Sequence, residues 1–331
     1  MTFNIMEDKI LKFNTTNLLK AAAVLEAIVI LGLITVIAFF FVRNSGSIAA
    51  NADPQVRTRA VIEKEETFYQ LDGKKILMHN STMGETFIPV FSDVPASSLD
   101  PAGFAADANG FVKYSGNPDI PSIVGIDISE HQGVIDWEQV KSAGIEFVMI
   151  RAGYRTYGDG ILTMDTMLYD NLSGACEAGL DVGVYFFSQA TTEAEAIEEA
   201  DAVLDAISAY DITYPVVFDW ELIYEDHART DSMTVEKLAD CCVAFCERVK
   251  SAGYTPMLYQ NASTATHKLD LPRVKDYEFW LAEYTASPTF YYEYDMWQYS
   301  STGTIPGITG SVDLNVCFKD YSAPAVPTTS E

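Results

Sequence analysis

The chain has 331 residues, 48% of them hydrophobic and 12% aromatic, which allows a sizeable core and about two domains. Its formal net charge of -26 argues against nucleic acid as a partner, because phosphate binding needs a basic face, and disfavours adsorption to anionic lipid. The five cysteines, Cys176, Cys241, Cys242, Cys246 and Cys317, are an odd set without framework-like spacing. Cys242 and Cys246 sit four apart on an expected helix with no pair of histidines nearby, so buried small hydrophobes fit better than a bridge or a zinc site.

In chain order, residues 1–20 read as a cytoplasmic N-terminal segment. Ala21 to Val42 is an apolar run broken only by Glu26 and closed by Arg43, and a bilayer core takes roughly 20 residues to span. A cleaved signal peptide competes, since Ile48 to Ala52 offers small residues, but a signal core is typically about 7–15 residues long. The preferred reading is a transmembrane signal anchor over 21–43. It implies a single-pass protein of the cell membrane with its C-terminal bulk on the extracellular side. Residues 44–120 read as a stem with short strands at Thr67–Leu71, Lys75–Met78 and Thr86–Phe91, followed by a Pro-, Ala-, Asp-, Gly- and Ser-rich stretch.

From Ser122 the periodicity becomes regular. Strands are expected at Val124–Ser129, Phe147–Ala152, Val182–Phe187, Pro215–Glu221 and Pro256–Gln260, with helices at Asp136–Ala143, Asp165–Ala178, Thr191–Ser208 and about Thr234–Ala252. The alternation then fails, leaving strands at Glu278–Tyr284, Met296–Ser300 and Val312–Val316. Such βα alternation argues for parallel strands, and eight of them suit a closed barrel that lacks helices in its last third. Residues 121–320 are the expected barrel domain and 321–331 a flexible tail.

The informative strand is Tyr214–Glu221. Val216, Val217 and Phe218 are apolar, and the run ends in Asp219 and Glu221. Side chains alternate along a strand, so these two carboxyls share a face about 6.5–7 Å apart. Barrel chemistry sits at the C-terminal rim. Asp127 ends the first strand, whereas Asp313 opens the eighth and fits the rim less well. Aromatics lie on or beside these strands, and together with rim carboxyls they suit a sugar polymer. Tyr154, Tyr185, Trp220, Trp280, Tyr284 and Trp297, with Gln298 among them, are the candidate substrate-binding residues. For Trp297 or Tyr299 alone, core packing is an equal alternative.

Gly125-Ile-Asp-Ile-Ser-Glu-His-Gln-Gly133 followed by Ile135-Asp-Trp137 resembles the opening motif of glycoside hydrolase family 25, the Chalaropsis-type lysozymes. Phe147–Gly153, Gly183–Phe186, Tyr214–Glu221, Trp280–Tyr284, Trp297–Ser300 and Gly310–Asn315 continue the resemblance in order, over about Val124 to Phe318. The resemblance implies a TIM-like (β/α)5β3 barrel that cuts the β-1,4 bond between N-acetylmuramic acid and N-acetylglucosamine in peptidoglycan. It makes Glu221 the proton donor, Asp219 its acidic partner, and Asp127 and Asp313 further acids of the cleft. It implies no metal or organic cofactor, and peptidoglycan strands as the partner. Asp219 could attack the anomeric carbon or steer the substrate's own acetamido group. The second fits two acids that start on one side of the sugar. A wall-binding module without activity, and an enzyme acting on chitin, are the rival readings.

Overall fold

The computed structural model describes residues 71–72, 75–80, 84–223 and 227–322, all of which fall in the unit Phe68–Glu331. The expected segment 1–20, the run 21–43 and the tail from 323 lie outside them.

A small antiparallel sheet of β1 (Leu71–Asp72), β2 (Lys75–Asn80) and β3 (Gly84–Pro89) comes first, then a hairpin of β4 (Phe104–Ala106) and β5 (Val112–Tyr114). Runs such as Val216-Val217-Phe218, apolar at successive positions, mark strands buried on both faces. They become β6 (Ile123–Ile128), β7 (Phe147–Arg155), β9 (Asp181–Ser188), β10 (Val216–Trp220), β11 (Pro256–Asn261), β12 (Glu278–Ala282), β13 (Met296–Gly303) and β14 (Val312–Cys317). These eight close into a barrel through the pairing of β6 with both β7 and β14, while β8 (Leu162–Met164) folds back antiparallel on β7. Each lies where the sequence pattern placed a strand.

The TIM-like (β/α)5β3 expectation is corrected to a closed eight-stranded barrel with few helices. Among the described residues only α2 (Leu168–Glu177), α3 (Glu193–Ile207) and α4 (Val235–Ser251) reach ten residues. The first crossover carries only α1 (Trp137–Ser142), and the fifth only the short α5 (Ala262–Lys268) and α6 (Leu271–Val274). No helix lies between β12 and β13 or between β13 and β14. The 304–311 connection is shorter than the dozen or so residues a parallel crossover needs, so β14 runs antiparallel to both of its neighbours.

The single-pass membrane placement is also not retained. Among the described residues no helix is long and apolar enough to cross a membrane, and the run on which that expectation rested lies outside them.

The longer helices follow from local chemistry. Thr192 and Thr234 cap α3 and α4 by accepting from the backbone N–H of Glu195 and Lys237, which satisfies an amide the helix leaves unpaired. In α4 the buried residues Leu238, Cys241, Cys242, Phe245, Cys246 and Val249 recur at helical spacing and face the barrel. The cysteines there are unbridged, buried thiols.

Inside the barrel, Phe147, Met149, Tyr214, Val217, Met257 and Met296 fill the lower layers. Two glycines make room for them. A Cβ on Gly125 would stand 2.3 Å from the Phe147 ring, and one on Gly183 would stand 2.6 Å from Met149.

Where helices are missing, the chain upstream of the barrel covers it. Phe104 meets Trp297 and Phe318 edge-on, with centroids 5.2 and 5.8 Å apart, and Tyr114 also packs on Phe318. Val112 N–H donates to the Tyr299 hydroxyl at 3.3 Å. Ser97 N–H donates to Tyr291 O and Glu293 N–H to Pro95 O, stitching 95–97 to the 291–293 segment. The β4–β5 hairpin thus does for β13 and β14 what crossover helices do elsewhere. Phe104→Ala should therefore lower the unfolding free energy by about 1–3 kcal/mol, below the full cost of a buried Phe because this ring is half-buried. Chemical denaturation of the full chain checks this.

Candidate active site

Alternation along each strand decides which side chains enter the barrel. On β10, Val217 and Asp219 point inward and Glu221 follows at the rim, while Phe218 and Trp220 turn out toward the helices. Asp127 on β6 pairs in register with Met149 of β7 on one side and with Asp313 of β14 on the other. Because β14 runs against its neighbours, its first residues lie where the other strands end. This reversal carries Asp313 to the same rim as Asp219 and Glu221. All four acids line one cavity of about 270 Å³, with Tyr185, Tyr259, Trp280, Gln298 and Arg151.

Hydrogen bonds set the orientation of this group. Asp127 Oδ2 accepts from Gln298 Nε2 at 2.9 Å and from Asn315 Nδ2 at 2.8 Å. Asn315 Oδ1 in turn accepts from Trp280 Nε1 at 2.9 Å. Gln298 Oε1 accepts from the hydroxyls of both Tyr259 and Tyr284, each at 2.9 Å. Gln298 and Asn315 are nearly fully buried, and a buried amide has to satisfy donors and acceptor together. Their amides therefore fix Asp127 against the aromatic wall. Among the described residues nothing donates to the buried Asp219 Oδ1.

Electrostatics push these carboxyls toward keeping their protons. Burial, then the charge of Asp313, raises Asp127, and the amides of Asn315 and Gln298 only partly offset this. Burial, Glu221 and Asp127 raise Asp219 well above the ordinary range, with Arg151 pulling the other way. Burial and Asp313 push Glu221 up to about 7. Burial raises Asp313, while its hydrogen bond with Asp127 lowers it. Arg151, which lines the same cavity, is already bound by Asp165 at 2.8 Å and Glu130 at 3.2 Å. A cluster of this kind can hold a proton at neutral pH and deliver it to a leaving oxygen. Among the described residues no group of three or more His, Cys, Asp or Glu is arranged to hold a metal ion.

The other expected site residues divide. Tyr185, Trp280 and Gln298 line the cavity, and Tyr284 stands exposed beside it, tied to Gln298. Trp220 is fully buried among the outer-face core residues. Trp297 is buried there too, donating to Glu283 O at 2.8 Å and packing on Phe104 and Tyr299. Tyr154 does not line the cavity itself: a register shift in β7 between Arg151 and Gly153 pairs it with Phe187, on the inward side, and its ring lies 5.3 Å from the Arg151 guanidinium. Bulges near active sites re-aim side chains in this way. Sequence reasoning did not single out Tyr259, Asn315 or Arg151 as site residues. Arg151 had a usable signal, since it stands two residues after the inward Met149.

The model of glycosyl hydrolases family 25 matches residues 126–308, more than half of the chain. The chain belongs to glycosyl hydrolase family 25. An autolytic lysozyme of Clostridium acetobutylicum is 31% identical to this family 25 chain over 192 residues, which cover 58% of the chain and 54% of that protein. The chain thus spans about half the length of that relative. Lysozyme M1 of Streptomyces globisporus is 29% identical over 211 residues, covering 60% and 69%. Among solved structures, the modular autolysin LytC of Streptococcus pneumoniae shares the fold with a TM-score of 0.53 at 23% identity, over 75% of this chain and 57% of that one. The catalytic domain of endolysin ply40 from bacteriophage P40 of Listeria monocytogenes aligns with a TM-score of 0.50 at 26% identity, over 61% and 95%.

In this family 25 site, Asn315→Leu should orphan the Trp280 indole N–H and leave Asp127 Oδ2 with Gln298 as its remaining donor. At about 1–3 kcal/mol for a buried group left unpaired, the variant should lose at least about 1 kcal/mol of stability at neutral pH. Urea unfolding of the variant beside the wild type checks this.

Proposed function

We propose that the chain is a peptidoglycan hydrolase, an N-acetylmuramidase that cleaves the β-1,4 bond between N-acetylmuramic acid and N-acetylglucosamine. The observation that carries this reading is the inward-facing acid set, in which Glu221 is pushed to about 7 at the mouth of an aromatic-walled cavity. Family membership and relatives named as lysozymes support the same chemistry.

In this reading Glu221 gives its proton to the glycosidic oxygen as the bond to the muramic C1 breaks. The acetamido oxygen of the muramic residue closes on that C1, and Asp219 holds the acetamido N–H in line. Water then attacks C1 as Glu221 takes back a proton, which regenerates the site. Substrate assistance of this kind is the established exception to a two-carboxylate displacement. It suits Asp219 and Glu221, which leave one strand on the same face. Burial and the charge of Asp313 keep Glu221 protonated, while Asp127 acts on Asp219. Tyr185 and Tyr284 offer sugar-stacking surfaces, with the buried Trp280 packed edge-on against Tyr185, and the glycan strands of peptidoglycan are the partner.

The full chain should release reducing ends from purified peptidoglycan, and mass spectrometry of the fragments should show muramic acid at the new ends. Glu221→Gln keeps the shape and removes the donor, so hydrolysis should drop by at least ~100-fold, the usual scale for losing a general acid. Wild-type clearance by that variant would refute the assignment, and fragment binding with no cleavage by the wild type would favour a recognition module. A covalent glycosyl adduct trapped on Asp219 would replace substrate assistance with direct attack.

The pH dependence has a definite sign. Glu221 holds its proton below about 7 and loses it above, so kcat should fall on the alkaline side of about 7, approaching tenfold per pH unit. Steady-state rates between pH 5 and 9, a range of about four units set around that value, check it.

A further inference from the structure

The backbone ladder that holds the catalytic strand ends before its second acid. Toward β9 the last register pair is Trp220 with Ser188, and toward β11 it is Asp219 with Tyr259. The carbonyls of Trp220 and Glu221 therefore lie at or beyond the ladder's end. Each is nevertheless held. Gln260 Nε2 donates to Trp220 O, and Gln189 Nε2 donates to Glu221 O at 2.8 Å.

Gln189 is the more telling of the two. It is fully buried and saturated: its Nε2 also donates to Ser188 O at 3.0 Å, and its Oε1 accepts from Thr230 Oγ1 at 2.8 Å. Thr230 is itself buried and belongs to the connection between β10 and α4. Next to it, Arg229 reaches the Gln189 carbonyl at 3.4 Å and is locked by Glu195 of α3 at 2.6 Å. Its guanidinium occupies the space beside Gly160, where a Cβ would stand 2.4 Å away. On the other side, Ser188 Oγ donates to the buried Glu199 at 2.6 Å, and Glu199 pairs with Arg155. One carboxamide thus joins the main chain of Glu221 to the end of β9 and to the return of the loop that follows the acid. Only a side chain with two donors and an acceptor can make all three contacts.

We propose that Gln189 is a positioning residue for Glu221, fixing the acid's main chain against residues 229–230 so that its carboxyl stays in the cavity with a constant aim. This rests on the reading of Glu221 as the proton donor. Gln189 touches neither the cavity nor the substrate, so its effect should fall on the chemical step. The charged and titratable groups that face Glu221 are Asp219 on its own strand, Asp313 on β14, Tyr259 on β11 and Tyr284 after β12. Loosening the strand end would admit water among them and weaken the burial that raises the acid.

The test compares full-length Gln189→Met, which keeps the volume and removes all three contacts, with wild type and Glu221→Gln on soluble, peptide-free glycan fragments of peptidoglycan. Misplacement by about 1 Å costs on the order of 100-fold, so kcat should fall ~10- to 100-fold while KM stays within about twofold. The alkaline limb of the kcat profile should also move below about 7, toward the ordinary glutamate range. A folded Gln189→Met with wild-type kcat and an unmoved limb overturns the proposal, as does a change confined to KM. If Gln189→Met does not fold, Thr230→Val decides. It frees the amide from the loop while leaving its bond to Glu221 O, and kcat and the alkaline limb should shift the same way by a smaller factor; no shift overturns the proposal. Wild-type hydrolysis by Glu221→Gln would sink the acid assignment itself, whereas its loss alongside an unaffected Gln189→Met sinks only the positioning role.

Discussion

Four carboxyl groups facing one cavity are the constraint from which the rest of the structure follows. Removing even a single carboxylate from water carries a penalty of about several kcal/mol unless it is paired or protonated. Here the acids sit beside one another, with one guanidinium within reach that is already shared by Asp165 and Glu130. Such a group cannot ionise fully, and the surplus protons are what a glycosidic bond requires. The same repulsion would drive the side chains apart on a soft scaffold. The barrel prevents this by placing each acid on a different strand, or two residues along the same one, and by bracing Asp127 with two buried amides.

The reversed last strand matters for the same reason. In an all-parallel barrel the residue opening a strand lies at the floor, remote from the chemistry. Turning β14 around puts Asp313 directly across the ladder from Asp127, where its charge adds to burial in raising both Asp127 and Glu221. The short 304–311 return is thus part of the electrostatics. It also removes the last outer helix, which leaves Trp297 and Phe318 to be covered from elsewhere.

Much of this was legible in the residues. Most of the eight strands announced themselves by an apolar run and β14 by alternation through Val312, Leu314 and Val316, and the i, i+2 spacing of Asp219 and Glu221 pointed to the rim. Alternation by itself turns Trp220 outward, since it lies between two inward acids. For Trp297 the deciding fact was the partner on its outer face, Phe104, nearly two hundred positions away in sequence, and no local pattern carries that. Tyr154 lies just beyond a bulge in β7 that sets which face it takes, and a period-two reading does not see a bulge. Tyr259 and Asn315 escaped notice because their importance comes from hydrogen bonds made across strands. The missing crossover helices were visible as a failed alternation, but the direction of β14 was not, because it depends on the geometry of closure.

The pairing of β6 with β14 also has a consequence during synthesis. The first barrel strand emerges from the ribosome long before its second neighbour, and Asp127 waits for amides at Gln298 and Asn315 that are made almost last. The hairpin at 104–114 is likewise finished well ahead of the rings it covers. Domains fold as units as the chain grows, and this one cannot close until about Cys317 has been added. Until then no closed barrel shields Asp219 and Glu221 from water, and carboxyls that are not buried ionise at neutral pH. In this protein the chemistry is the last thing the growing chain acquires.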